Sequence, residues 1–240
     1  MSLFKKLKDD SKSNAMGVLD SSVARVEEMH KMYAELFHYG NLSEASKDFK
    51  ASATVAANEK VAQAIATTLD QLAAHATLLN TVDYFISLHV PKIEDGGNFG
   101  VGVQLDLVKK LVEKKKMVTE AVDDLLKYNE SRANALTKLK LPTTETFSSH
   151  KEDVTDEDGK TGKVELTSKG LKKSSSAEGP VYEACVAAVV AVDTLYYSKA
   201  GGVFSEIIIS LVTIMDFIDK NKDKLVEPKG KSGGSAFSMY

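Results

Sequence analysis

Apolar residues recur every three or four positions along four long segments of the chain, with polar residues between them. This spacing places the apolar side chains on one face of a helix. The pattern predicts α-helices over about residues 15–38, 56–89, 104–141 and 181–227. The fourth segment is apolar on nearly every side, so it should be the most buried helix.

Proline residues mark the ends of these helices. Val90-Pro91 and Leu141-Pro142 end the second and third, because the residue before proline is pushed out of the helical region. Gly179-Pro180 precedes the fourth helix and Glu227-Pro228 follows it. Four helices of such length predict an all-α, elongated up-down-up-down four-helix bundle. The apolar surplus of the fourth helix further predicts self-association.

The segments outside the helices are polar or rich in glycine. Residues 1–14 are predicted to be a flexible N-terminus, and a small polar linker joins the first two helices. Residues 143–179 are rich in Ser, Lys, Glu, Asp and Gly and are predicted to form a disordered loop. Residues 228–240 are predicted to be a flexible C-terminal tail.

The loop over residues 91–103, within "PKIEDGGNFGVGVQ", joins the second and third helices. In an up-down-up-down bundle this loop lies at the same end as the C-terminus of the fourth helix. The loop and the tail are therefore expected on one face, in a layout suited to docking onto a large partner.

Composition narrows the function classes. The chain has 240 residues, 43% of them hydrophobic and 27% charged, with a net charge of −3, so nothing favours nucleic-acid binding. A single cysteine, Cys185, fits a reducing compartment. The N-terminus lacks the apolar core of a secretory signal, and charges interrupt the apolar region of residues 181–218. The expectation is a soluble intracellular protein without a membrane segment.

No constellation of catalytic residues emerges. Glu27 and His30 form a single Glu-x-x-His step, whereas a di-iron bundle needs two such steps. Cys185 lies in an apolar stripe, where a thiol packs as a small hydrophobe. "VTDEDGKTGKVE" lacks the leading acidic ligand of a calcium loop, since Val154 stands there. We therefore expect no catalytic residue, metal or cofactor.

The run "KKLVEKKK" near the start of the third helix has two interpretations. It is either a solvated helix face or a basic lining near the docking end that attracts acidic partners. The sequence leaves both open.

The stretch "VPKIEDGGNFGVGVQ" closely resembles the activation loop of the 11S proteasome regulators, the proteasome activator 28 family. Three further segments agree in order. "NEKV" at Asn58–Val61 resembles the start of the family's second helix, "KYNESRANALTKLKLP" the end of its third, and "DKLVEPKG" with the terminal "MY" its tail. The resemblance covers about Asn58 to Tyr240, with residues 143–179 excluded.

The resemblance implies four-helix subunits in a heptameric ring that caps the 20S proteasome without ATP. It implies that the C-terminal tail docks between proteasome α subunits and that the activation loop opens the gate to stimulate peptide hydrolysis. The implied activation-loop residues are Ile93, Glu94, Asp95, Gly96, Gly97, Asn98, Phe99, Gly100 and Val101. The implied docking residues are Phe237, Ser238, Met239 and Tyr240.

Two departures from the family pattern bear on these expectations. Gly97 stands where relatives carry asparagine, which should loosen the loop, and Val226-Glu227 stand where many relatives carry lysines. The alternative function is a structural or adaptor bundle that binds the proteasome or another partner without activating it. A metal-dependent bundle enzyme is the third class considered.

The expected partners are the α-subunit ring of the 20S proteasome and further copies of this chain. The ring is either a homoheptamer or a mixed ring with a paralogue. No nucleic acid or membrane partner is expected, and the expected localisation is cytoplasmic and/or nuclear.

Overall fold

The computed structural model describes residues 3–53, 57–91, 99–138, 153–155, 161–163 and 180–228. Four helices are long and two are short, and two three-residue strands form an antiparallel hairpin in which Asp153 pairs with Lys163. In chain order the elements are α1 Leu3–Leu36, α2 Leu42–Lys50, α3 Glu59–His89, α4 Phe99–Leu125, α5 Tyr128–Leu136, β1 Asp153–Thr155, β2 Thr161–Lys163 and α6 Pro180–Val226.

The four long helices form the expected bundle. α3 and α6 pack together along its centre, and α1 and α4 each pack against both of them. The lateral order around the bundle is therefore α1, α3, α4, α6, with α1 and α4 on opposite sides. The short helices α2 and α5 pack on α6.

The first and the third predicted helices differ most from the structure. The flexible N-terminus expected over residues 1–14 is wrong for residues 3–14, because α1 begins at Leu3 and buries Ser11. The third predicted helix, 104–141, begins earlier, at Phe99, and is interrupted between Leu125 and Tyr128. At the start of α1, residues 3–10 are exposed apart from the half-buried Lys8, so no buried apolar stripe marks this boundary in the sequence.

Two short elements lie in segments that were expected to be irregular. In the first linker α2 is capped by Asn41, whose side chain accepts a hydrogen bond from Glu44 N at 3.0 Å. Ala45 and Phe49 anchor this helix in the core. The loop predicted to be disordered over residues 143–179 contains the β1–β2 hairpin. Local capping and strand pairing stabilise both elements without a long apolar pattern.

Two adjacent glycines, Gly201 and Gly202, lie in the middle of α6. Gly201 is a close-packing point, since a Cβ there would lie 3.1 Å from the ring of Phe37, the residue directly after α1. Tyr197, one turn earlier, donates a hydrogen bond to Leu36 O at 2.8 Å. These contacts bring the end of α1 against α6.

By length and composition α6 is apolar enough to cross a membrane, and it is the one such helix within the described residues. Its most apolar window is 44% buried inside the bundle. The central helix of a bundle needs the same composition, because neighbours cover it on several sides.

The middle of the bundle holds a histidine that should make stability depend on pH. His75 is fully buried, and its Nε2 lies 2.9 Å from Ser210 Oγ. Burial, and then the charges of Arg25 and Lys114, together lower the pKa of His75 from 6.5 to about 4. Between these pH values the unfolded chain therefore binds more protons than the folded chain. The contribution of neutral His75 to the free energy of unfolding is fully present above pH 6.5 and is lost as the pH falls towards 4.

We expect the free energy of unfolding to drop by about 3 kcal/mol as the pH falls from 6.5 to 4, beyond the drop in a His75→Gln variant. Urea unfolding at several pH values measures how the free energy of unfolding changes with pH in the wild type and in the His75→Gln variant. Parallel slopes for the two proteins would show that His75 does not carry the effect.

Candidate functional site

The structure describes the helix ends that flank the predicted site and three residues of its loop. Phe99, Gly100 and Val101 form the first turn of α4. The other six predicted loop residues, Ile93 to Asn98, lie outside the described residues, as do the docking residues Phe237 to Tyr240. The described part of the site therefore consists of the two helix ends that flank the loop and of the point where the chain leaves α6.

The two loop stems and the tail origin lie together at one end of the bundle, which confirms the geometric prediction. α3 ends at His89 and α6 ends at Val226. Gln104, one turn into α4, reaches both helix ends. Its Nε2 donates to Leu225 O at 2.9 Å and to His89 O at 3.3 Å.

Gln104 is completely buried. The last carbonyl groups of a helix have no partner within the helix, so a side-chain amide that satisfies two such groups holds both helix ends in place. Its Oε1 has no partner among the described residues. We call the hydrogen bonds that Gln104 makes to Leu225 and His89 the joint. The sequence did not predict the joint, because these two residues lie 121 and 15 residues away from Gln104.

Gly100, in the first turn of α4, lies against Pro228, where the chain leaves α6 towards the predicted tail. We call Pro228 the tail origin and the adjoining ends of α3 and α4 the stems of the predicted activation loop. A Cβ at this position would lie 2.5 Å from Pro228 Cα and closer still to the Pro228 carbonyl oxygen. Real Cβ atoms do not approach backbone this closely, so only glycine permits the observed contact. The predicted loop residue Gly100 thus acts as a contact surface for the chain that leads into the tail.

The end of α3 is held by His89 as well. Its Nδ1 donates to Phe85 O at 2.8 Å, and its ring lies 4.6 Å from the Phe85 ring. Both contacts lie within the last turn of the helix. They order the stem that precedes the loop.

The opposite end of the bundle contains a buried charged network centred on Asp193. Its carboxylate accepts hydrogen bonds from Asn58 Nδ2 at 3.2 Å, Tyr128 OH at 2.8 Å and Arg132 Nε at 3.0 Å. Arg132 also donates to Ser52 O at 3.3 Å. Burial, and then the hydrogen bond to Asp193, raise the pKa of Tyr128 above its ordinary value.

The network explains two of the sequence segments noted above. Asn58 begins "NEKV" and caps α3 by accepting from Val61 N at 3.3 Å. Tyr128 and Arg132 lie four residues apart in "KYNESRANALTKLKLP", and so on one face of α5. Sequence reasoning missed the network, although an aspartate within the apolar α6 was a usable signal.

Within the described part of the chain, no group of three or more His, Cys, Asp or Glu side chains comes together to hold a metal ion. Glu27 lines a groove between α1 and α6. The Cys185 thiol is half-buried, and its Sγ lies 3.4 Å from Lys138 O.

Residues 54–174 match the family model of the proteasome activator PA28 C-terminal region. This match spans half of the chain. The chain belongs to the proteasome activator PA28 family. The resemblance inferred from the sequence is thereby confirmed.

Named relatives in the PA28 family match over a shorter length. Proteasome activator 28 of Dictyostelium discoideum is 40% identical over 55 residues, which are 23% of this chain and 24% of that protein. Human proteasome activator complex subunit 3 is 35% identical over 69 residues, which are 28% of this chain and 27% of that protein. The alignments thus span about a quarter of the curated relatives.

Solved structures match over nearly the whole chain. The 11S subunit PA28 of the Plasmodium falciparum proteasome gives a TM-score of 0.63 at 19% identity and covers 94% of this chain and 92% of that one. A chain of the archaebacterial 20S proteasome–PA26 complex gives 0.66 at 14% identity and covers 99% and 98%. At these identities the likeness shows the fold, the helical bundle of the 11S activators.

Proposed function

We propose that this chain is a non-enzymatic, ATP-independent activator of the 20S proteasome. Copies of it form a ring on the end of the proteasome, the tails dock on the α subunits, and the activation loop opens the gate. The observation that carries the proposal is the joint at one end of the bundle. Gln104 and Gly100 hold the tail origin beside both stems of the loop.

The joint matters because gate opening requires the tail to dock and the loop to contact the gate at the same end of the bundle. The docking of a tail fixes the position of the bundle relative to the partner. A tail origin fixed to the loop stem by the close contact of Gly100 and Pro228 transmits that position to the loop. In a ring, several weak tails act together through their effective concentration, so that each tail can be short.

The loop supplies polar groups for the gate. Glu94 and Asp95 offer carboxylate acceptors between the two stems. A hydrogen bond to a charged group contributes about 1.5–3 kcal/mol, which corresponds to at least about tenfold in an equilibrium between closed and open gates. The loop thus has enough interaction energy to shift the gate without any covalent chemistry.

The test is hydrolysis of short fluorogenic peptides by latent 20S proteasome from the same source. We expect the wild-type chain to stimulate hydrolysis and Glu94→Ala to lose about tenfold of that stimulation. Deletion of Phe237–Tyr240 should abolish it. Glu120→Ala is the matched control, since Glu120 is an exposed glutamate on α4 that pairs with Lys116.

Competition separates docking from gate opening. Glu94→Ala should bind the proteasome and inhibit the wild-type activator, whereas the tail deletion should not compete. If the wild-type chain binds the proteasome without stimulating hydrolysis, the chain is an adaptor. If it neither binds nor stimulates, the proposal is wrong.

A further inference from the structure

A groove of about 670 Å³ runs between α1 and α6 and carries apolar surface that is not covered. We call it the α1–α6 groove; Leu19, Val23, Val212 and Met215 contribute its apolar lining. Val23 is 60% exposed and Val212 is 45% exposed. Contiguous exposed apolar surface of this kind marks a place where another surface binds.

The rim of the α1–α6 groove is acidic. Asp20 and Glu27 line it from α1, and Asp216 and Asp219 line it from α6. Lys222 is the basic residue among the lining side chains. An occupant should therefore be apolar along its centre and basic at its edges.

Helix α4 presents such a surface. Leu105 and Val112 are 54% and 57% exposed, and Lys109 and Lys116 are exposed beside them. These four residues follow one another at steps of four, three and four positions, so they form a single line along one helix face. We call this line the α4 ridge.

One side of α4 faces α6. Lys114 Nζ lies 2.9 Å from Glu206 Oε1, and Lys110 Nζ lies 5.5 Å from the centre of the Phe217 ring. The α4 ridge does not share this side of the helix.

The α4 ridge lies on the exposed outer face of α4, next to the side that faces α3. Lys115 pairs with Asp83 of α3 at 2.5 Å, and Val112 lies one turn before Lys115 on the same side. Because α1, α3, α4 and α6 follow one another around the bundle, the side between α3 and α4 is opposite the side between α1 and α6. The α4 ridge and the α1–α6 groove therefore lie on opposite flanks.

The two surfaces also lie at the same height along the bundle. Gln104 contacts Leu225, and Lys114 contacts Glu206. Residues 105–116 of α4 thus run beside about residues 205–224 of α6, which include the α6 lining of the groove. A neighbour displaced sideways without a shift along the axis would bring its α4 ridge to the level of the groove.

We propose that the α1–α6 groove receives the α4 ridge of a second copy of this chain. Leu105 and Val112 fill the apolar centre, while Lys109 and Lys116 meet the acidic rim. The contact is heterologous, because each copy uses one flank to donate and the other to receive, and such a contact forms a ring when the rotation between neighbouring copies closes. Ring closure rests on the proposed function, whereas the pairwise contact rests on these two surfaces.

Local ion pairs do not oppose this contact. Lys116 pairs with Glu120 at 3.6 Å and Lys220 with Asp216 at 2.7 Å, both between residues four apart on exposed helix surface. Exposed pairs of this kind contribute only a few tenths of a kcal/mol, about 0.3–0.5. Lys116 and Asp216 can therefore re-pair across the interface at little cost.

Two charged substitutions test the proposal. Val112→Asp damages the α4 ridge and Val212→Asp damages the groove, and both positions are exposed in the single copy, so folding is retained. Each variant alone should lose the assembly formed by the wild-type chain and sediment as a monomer. Leu42→Asp is the control, since Leu42 is 49% exposed on α2, and it should assemble as the wild type does.

Mixing the two variants gives the decisive result. The intact ridge of the Val212→Asp chain fits the intact groove of the Val112→Asp chain, so the mixture should form a one-to-one dimer and nothing larger. One variant is labelled with nitrogen-15, so that native mass spectrometry distinguishes the mixed dimer from a dimer of either variant alone. Circular dichroism checks that each variant is folded.

The proposal is overturned if the wild-type chain is monomeric, if either variant still assembles, or if the folded variants form no mixed dimer. None of these measurements uses the proteasome. Assembly through ridge and groove without peptidase stimulation would therefore reject the proposed function and leave the contact intact. Stimulation by the wild-type chain, together with variants that still assemble, would reject the contact alone.

Discussion

Replacing Asp193 with alanine is expected to lower the free energy of unfolding by about 3–5 kcal/mol, because it removes the carboxylate that pairs with the buried Arg132. The side chain of Arg132 is 8% exposed and that of Asp193 is 0% exposed. Tyr128 and Asn58 would lose their acceptor in the same step. Urea unfolding followed by circular dichroism measures the change.

The chain contains a matched control for this substitution. Asp124 pairs with Lys199 at 2.8 Å, but these side chains are 44% and 33% exposed. Asp124→Ala should therefore cost about 0–1 kcal/mol, as is usual for an exposed ion pair. Equal losses for the two aspartates would contradict the role assigned to the buried network.

A double substitution separates charge from packing. Replacing Asp193 and Arg132 together with leucine removes both charges, and such replacements of buried ion pairs are often neutral or stabilising. We expect the double variant to be more stable than Asp193→Ala. If it is less stable, the network contributes through shape and hydrogen bonding rather than through the pairing of two charges.

The bundle could be predicted because its helices carry long apolar stripes and end at prolines. The second helix was predicted to end at residue 89 and the structure ends it at His89; the fourth differs by one residue at each end. The common end of loop and tail followed from counting four antiparallel helices. These features depend on local pattern and chain parity, both of which the sequence contains.

The remaining features depend on contacts between distant residues. Nothing near Leu3 marks it as the start of a helix, since its side chain is 77% exposed and the first buried residue of α1 is Ser11. In the sequence Gln104 is an ordinary polar helix residue, and only the folded bundle brings the ends of α3 and α6 into contact with it. Side chains of this kind acquire their role only when the bundle has formed.

Gly100→Ala is expected to reduce proteasome stimulation by about tenfold or more, provided that the proposed function holds and the contact with Pro228 contributes at least about 1.4 kcal/mol to positioning. The added methyl group would overlap the Pro228 backbone, which cannot move aside as a flexible side chain does. The tail origin must then shift away from the loop stem. Peptide hydrolysis by latent 20S proteasome measures the loss.

Gly102→Ala is the matched control, two residues along the same helix. Gly102 is exposed, and a Cβ there meets nothing within 4 Å. Because alanine is the better helix former, this variant should gain about 0.5–1 kcal/mol of stability and keep full stimulation. The control therefore separates the overlap with Pro228 from any general effect of alanine in the first turns of α4.

The two glycine variants also separate docking from coupling. Gly100→Ala keeps its tail, its α4 ridge and its α1–α6 groove, so it should still assemble and still compete with the wild-type chain for the proteasome. Loss of stimulation with retained binding would show that the contact between Gly100 and Pro228 sets the loop in its working position. Full stimulation by Gly100→Ala would show instead that the loop opens the gate independently of where the tail begins.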